Sequence, residues 1–227
     1  MRAYERLLRY VAYPTASDEN SATCPSTPTQ LELARALVQE MQDMGIRDAA
    51  MDQNGYVYGT VPGNVDKKVP VVGFIAHMDV VRDVPFENIK ARVHHHYDGG
   101  DIVLNQEQGI VLRADEFPEL KNYIGHDLVV TDGTTLLGAD DKAGVAEIMT
   151  MAERLLKDPS IRHGDIKLGF TPDEEIGRGA NLFDIPRFGA DFAYTVDGAA
   201  FGAVEYENFN ASACAVSIRG KNIHPGS

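Results

Sequence analysis

The chain has 227 residues, 44% of them apolar, and a formal net charge of -13. That acidity excludes a surface built to grip nucleic acid, which needs clustered Lys and Arg, and the apolar fraction excludes wholesale disorder. Cys24 and Cys214, the two cysteines, are too few and too far apart for a disulfide framework or a Cys-based zinc motif.

In chain order, Tyr4, Leu7, Leu8 and Val11 recur at helical spacing and predict a first helix ending before Pro14. The Ser/Thr/Pro-rich run from Thr15 to Thr29 reads as a loop. Thr27 and Gln30 fit a capping box with Pro28 at the first helical position. The helix that follows carries Leu31, Ala34, Leu37, Val38 and Met41 on one face and stops at Gly45. Strands are predicted from Tyr56 to Val61 and, after a turn at Pro62-Gly63-Asn64, from Val69 to Ala76. The second is nearly continuous in apolar residues, as expected of a strand covered on both faces, and it runs into His77-Met78-Asp79.

Residues 82–123 are less regular, with a strand at Asp101 to Leu104 and the triplet His94-His95-His96. Consecutive side chains on a strand cannot all face one ion, so the triplet reads as solvated loop or edge residues. A strand-like run, Thr134 to Leu137, then leads into Gly138-Ala139-Asp140-Asp141-Lys142-Ala143-Gly144. Neighbouring side chains point in different directions, so Asp140 and Asp141 do different jobs. Taken alone, the pair is an acidic helix start. Val145, Ile148, Met149, Ala152, Leu155 and Leu156 form the apolar stripe of a helix that ends near Asp158-Pro159.

Two further strands run from Ile166 to Thr171, into Pro172-Asp173-Glu174-Glu175, and from Phe192 to Val196, into Asp197-Gly198. The alternation predicts an α/β fold with a mixed, largely parallel sheet sandwiched by helices. Ala211 to Arg219 reads as a half-exposed strand. A composition shift near Asn210 divides residues 1–210, a main domain, from 211–227, the start of a second one. No apolar run reaches membrane-spanning length and the N-terminus lacks the order of a signal peptide, so a cytoplasmic, reducing compartment is expected.

Four acidic or imidazole clusters therefore sit just past apolar strands: His77/Asp79, Asp140/Asp141, Glu174/Glu175 and Asp197. Singly, each has a plain explanation as a strand-end histidine, a helix start or a turn. Jointly, they meet on one rim if the strand ends are neighbours. Like charges a few ångströms apart cannot all remain ionised, and divalent cations remove the difficulty. Imidazole with carboxylate suits Zn²⁺, with Mn²⁺ or Co²⁺ possible. The carboxylate count favours two ions about 3.5–4 Å apart sharing a bridging group.

The runs Ile75-Ala76-His77-Met78-Asp79, Leu137 to Gly144, Thr171-Pro172-Asp173-Glu174-Glu175-Ile176-Gly177 and Thr195-Val196-Asp197-Gly198 resemble the co-catalytic zinc aminopeptidase/carboxypeptidase family, its tripeptide aminopeptidases in particular. Glu205 to Asn210 and Asn222-Ile223-His224-Pro225-Gly226 share the likeness. The resemblance implies two zinc ions, with His77 and Asp197 on one, Glu175 on the other and Asp140 bridging both. It makes Asp79 the partner of the His77 ring and Glu174 the general base, keeps Asp141 off the metals, makes residues 211–227 the start of a small α+β lid domain, and sends His224 from that lid to the substrate carbonyl. It further implies a short peptide substrate, a homodimer formed through the lid, and a family chain that continues for roughly as long again.

Three functions fit this reading. The first is a metal-dependent aminopeptidase releasing the N-terminal residue of tripeptides. The second is an amidohydrolase, carboxypeptidase or dipeptidase of the same fold, which assays of free against N-blocked tripeptides would separate. The third is a non-catalytic cation-binding fragment, indifferent to Glu174→Gln.

Overall fold

A computed structural model describes residues 1–198, 201–207, 210–212 and 214–221. Helices α1 (Ala3–Tyr10) and α2 (Gln30–Asp43) precede strands β1 (Ala50–Met51), β2 (Val57–Val61) and β3 (Val72–His77). Two small ribbons follow. One pairs β4 (Arg92–His94) with β7 (Leu128–Val130), and the other pairs β5 (Ile102–Asn105) with β6 (Ile110–Leu112). The chain continues through α3 (Ala139–Lys157), β8 (Ile166–Thr171), α4 (Ile185–Phe188) and β9 (Phe192–Thr195). It divides into two compact units, Met1–Asp197 and Gly198–Ser227. Among the described residues of the second there is no helix or strand.

The main sheet has the order β1-β2-β8-β3-β9, with β3 parallel to both β8 and β9, β2 antiparallel to β8, and β1 antiparallel to β2. It is the mixed sheet expected from the sequence. Alternate residues of its strands meet different layers. Val57, Val61, Leu168, Phe170 and Ala76 join Leu33, Leu37 and Met41 of α2 and Val145, Ile148 and Met149 of α3 in the larger core. Tyr56 and Tyr58 point the other way, onto Phe183 and Phe188. The larger core accounts for the one-sided apolar stripes of the helices, since burying such a stripe is what holds a helix of this length in place.

One ion network ties the helical layer together. Arg6 is 2% exposed, and its guanidinium donates to Glu40 (2.8 Å), Thr150 (2.9 Å) and Glu153 (2.7 Å), while the Tyr10 hydroxyl donates to Glu40 (2.8 Å). Burial alone would lower the Arg6 pKa, but the Glu153 and Glu40 carboxylates outweigh it and hold the group charged. Among the described residues, no helix is long and apolar enough to cross a membrane.

Three local expectations fail. Helix α2 begins at Gln30 with Thr29 as an N-cap lacking a side-chain cap bond, because the Thr27 hydroxyl donates to the Ala16 carbonyl (2.8 Å) and Gln30 turns into the interior. Thr134 to Leu137 form no strand. The Thr131 and Asp132 side chains accept from Gly133 and Thr134 and fold the segment into a local turn. Residues 211–219 are not strand at any described position. Val216 and Ile218 are exposed, and no described residue supplies the neighbouring ladder a strand requires.

Candidate metal centre

Parallel register decides where the site lies. His77 closes β3 opposite Thr171 of β8, and Ile75 of β3 lies opposite Thr195 of β9. The carboxyl ends of all three strands therefore open on one rim, where α/β sheets bind ligands. Glu174 and Glu175 follow β8, and Asp197 follows β9. Asp140 and Asp141 come from the first turn of α3, which packs against β3. The fourth cluster thus reaches the rim from a helix start and not from a strand. There Asp140 and Asp141 keep non-helical backbone angles, and the peptide between them is cis. Gly138 takes the left-handed conformation (φ +75°) that lets the chain turn into the helix.

His77 is the hub. Its Nε2 lies 2.9 Å from Asp140 Oδ1, 3.7 Å from Glu174 Oε2 and 3.8 Å from Asp197 Oδ2. One ligand atom each from His77, Asp140 and Glu175 fall within 4.8 Å of one another, as do atoms of His77, Asp141 and Asp197. The ring itself is buried, whereas the Asp140 side chain is 74% exposed, so the cluster faces solvent through its carboxylates. The His77 Nδ1 lies 3.0 Å from the main-chain oxygen of Asp79 and 3.4 Å from its carboxylate.

The Asp79 carboxylate is committed elsewhere as well. It accepts the Glu174 N–H (2.9 Å) on one oxygen and the Glu175 N–H (3.1 Å) on the other. Fully buried, it fixes the segment that carries the two glutamates. Sequence reasoning missed this duty, because the two donors lie almost a hundred residues along the chain. Asp141 is likewise turned inward, accepting the His77 N–H (3.0 Å) and the Gly144 N–H (3.1 Å).

Apart from His77 itself, no basic side chain among the described residues pairs with the rim carboxylates. Burial would lower the His77 pKa, but the hydrogen bond and charge of Asp79, with Asp141 and Asp197, push it up to about 10. Burial pushes Asp141 up to about 8 and raises Glu175 and Asp197 too, the latter two further lifted by Asp140. Among the described residues no Lys or Arg forms an ion pair with these carboxylates. Lys142, buried beneath them, donates to the Tyr13 carbonyl (2.8 Å), and burial lowers its pKa to about 7. Several crowded carboxylates around a single imidazole, with no Lys or Arg pairing with them among the described residues, fit divalent cations. The donor set suits zinc, manganese or cobalt better than calcium, which takes oxygen ligands alone.

The other histidine tract is different. His95 and His96 are exposed, His95 Nδ1 lies 2.9 Å from Asp127, and His94 packs edge-on against Tyr97. His224 lies outside the described residues.

No family model matches the sequence. Curated proteins do. The chain is 57% identical over 222 residues to peptidase T of Geobacillus kaustophilus and 54% identical over 222 residues to peptidase T of Bacillus subtilis, in each case over 98% of this chain and 54% of the relative. It thus spans about half the length of the curated relatives it matches. Among solved structures, aminopeptidase PepT from Bacillus cereus superposes with a TM-score of 0.61 at 26% identity, covering 88% of this chain and 43% of that one. A tripeptidase from Staphylococcus aureus gives 0.59 at 26%, with the same coverage. A metallo-carboxypeptidase from Sulfolobus solfataricus, at 0.53 and 16%, shares the fold. Over the half of their length that it spans, the chain is similar to peptidase T from end to end.

Proposed function

We propose that this chain forms the metal-binding part of a tripeptide aminopeptidase. The observation that carries the reading is the meeting of His77 with Asp140, Glu174, Glu175 and Asp197 on one sheet rim, with no Lys or Arg pairing with them among the described residues. His77 and Asp197 would hold one zinc ion and Glu175 the other, with Asp140 between them. Asp141 is assigned a positioning role, its two oxygens accepting the His77 and Gly144 N–H groups.

Held by these residues, two divalent ions would supply Lewis-acid chemistry, polarising a carbonyl and making a water molecule more acidic. The protein's own part is positional and proton-handling. Glu174, half exposed at the rim, takes the proton of the attacking water and returns it to the departing amine. Asp79 holds both the His77 ring and the Glu174–Glu175 backbone. The excess of carboxylates suits a substrate that brings a free α-amine. Residues 211–227 would open the lid domain.

Glu174→Gln, made in a chain of the relatives' full length, should keep its zinc and lose most tripeptide hydrolysis. Unchanged turnover in that variant would remove the general base. Preference for N-blocked over free tripeptides would move the activity to another peptidase of the same fold.

A further inference from the structure

The Ser/Thr/Pro-rich loop between α1 and α2 meets Asp173, which stands immediately before the two glutamates. Its carboxylate is fully buried and no cation pairs with it among the described residues. Neutral donors satisfy it instead. The Ser26 N–H reaches both oxygens (2.8 and 3.0 Å), the Ser26 hydroxyl donates at 2.5 Å, and Gln30 Nε2 donates at 2.7 Å. Gln30 answers in the other direction, its side-chain oxygen accepting the Asp173 N–H (3.1 Å).

The backbone at Asp173 adopts a left-handed conformation (φ +59°), which reverses the chain after β8. A non-glycine residue held there needs local support, and Asp is one of the few that tolerate it. The reversal is what sends the Asp173 side chain into the protein while Glu174 and Glu175 go to the rim. Further along, the Arg178 N–H donates to the Asp173 carbonyl (2.9 Å), and the Arg178 guanidinium donates to the carbonyls of Ser21 (2.7 Å) and Glu19 (2.9 Å). The turn is therefore fastened to the 15–29 loop on both sides of the glutamates. Asp79 holds the same two residues from below.

We propose that Asp173, with Ser26 and Gln30, forms a clamp whose task is to position Glu174 and Glu175 for the metals and the substrate. The inference rests on the metal reading above and extends it to positioning residues outside the rim. A buried carboxylate with four accepted hydrogen bonds is an expensive way to stabilise a surface turn. It is an effective way to fix where the next two side chains go. Loss of the clamp should loosen Glu175 as a ligand while leaving the His77–Asp197 pair undisturbed.

The test is Co²⁺ titration of the chain followed by visible absorption, with Glu175→Gln marking the part of the signal that depends on Glu175. Ser26→Ala and Gln30→Met should weaken that part about tenfold or more. Ser26→Thr, which keeps the hydroxyl, should restore it to within about twofold. Amide hydrogen exchange at Glu174 and Glu175 should accelerate in the two clamp-breaking variants and not in Ser26→Thr. Variants that melt at a lower temperature but bind Co²⁺ like the unaltered chain would make the clamp merely structural and overturn the proposal. Asp173→Asn, which keeps the turn conformation, serves if either variant fails to fold, with the same expected and contrary results. Failure of the unaltered chain to bind Co²⁺, or a signal blind to Glu175→Gln, would overturn the metal reading and this inference with it. Normal Co²⁺ binding with insensitive clamp variants would overturn the clamp alone.

Discussion

Replacing Gly144 by Ala separates two physical effects of opposite sign. Gly144 lies in the helical part of α3, where Ala is favoured by about 1 kcal/mol on propensity alone. A Cβ at this position would stand 1.9 Å from the Val196 carbonyl oxygen and 2.3 Å from Asp141 Oδ1. Ordinary C···O contacts begin at about 3.3 Å, so the Val196 side is short by about 1.4 Å. The obstacle is backbone and cannot rotate away. Overpacking of this kind costs about 1–3 kcal/mol and here falls at the upper end. The net expectation is a loss of about 2 kcal/mol, or about 4–8 °C in melting temperature for a chain of this size.

The second consequence is local to the rim. Val196 precedes Asp197, so relieving the clash shifts that carboxylate by about 1 Å, a displacement that can cost a hundredfold in a tightly positioned site. Urea unfolding and Co²⁺ titration, run side by side, would read both. A Gly144→Ala chain as stable as the original, with unchanged Co²⁺ affinity, would refute the argument that α3 and the end of β9 are in direct backbone contact at the site.

Other expectations follow from the ion network and the rim. Arg6→Ala leaves Glu40 and Glu153 without their shared guanidinium and should cost about 3 kcal/mol in urea unfolding. Arg6→Lys should recover only part, since one ammonium cannot span both carboxylates. Lys157, the N-terminal amine and Arg6 together lower the Glu153 pKa from 4.5 to about 2. Its stabilising contribution is therefore complete above the unfolded value and fades as pH falls towards 2, so the stability gap between the original chain and Glu153→Gln should narrow over that interval. A gap that widens on acidification would reverse the sign and defeat the assignment. Asp140→Ala should strip both ions in metal analysis. His95→Ala should leave metal content unchanged, because that side chain belongs to Asp127 and solvent.

The legible parts of this molecule are those in which local pattern and long-range structure agree. The apolar runs of β3 and β8 and the stripe of α3 announce elements buried by the same residues that define them. The polar residues that interrupt those runs, His77 and Glu174–Glu175, fall at the rim because parallel strands end together. What was not legible depends on partners distant in sequence. Gln30 looks like a capping residue until Asp173 is placed beside it, and its two hydrogen bonds to that residue have no local signature. Asp79 reads as a companion of His77, yet its carboxylate accepts main-chain N–H groups of Glu174 and Glu175. Thr134 to Leu137 has the composition of a strand, but the hydrogen-bonding side chains beside it offered the backbone a nearer partner.

The reading depends most on two metal ions occupying the rim at the ends of β3, β8 and β9. Anomalous diffraction at the zinc edge, from crystals of the zinc-loaded protein, reports ion identity, number and position together. The account predicts two peaks about 3.5–4 Å apart, bounded by His77, Asp140, Glu175 and Asp197. An empty rim, or zinc held only at His94 to His96, would contradict it.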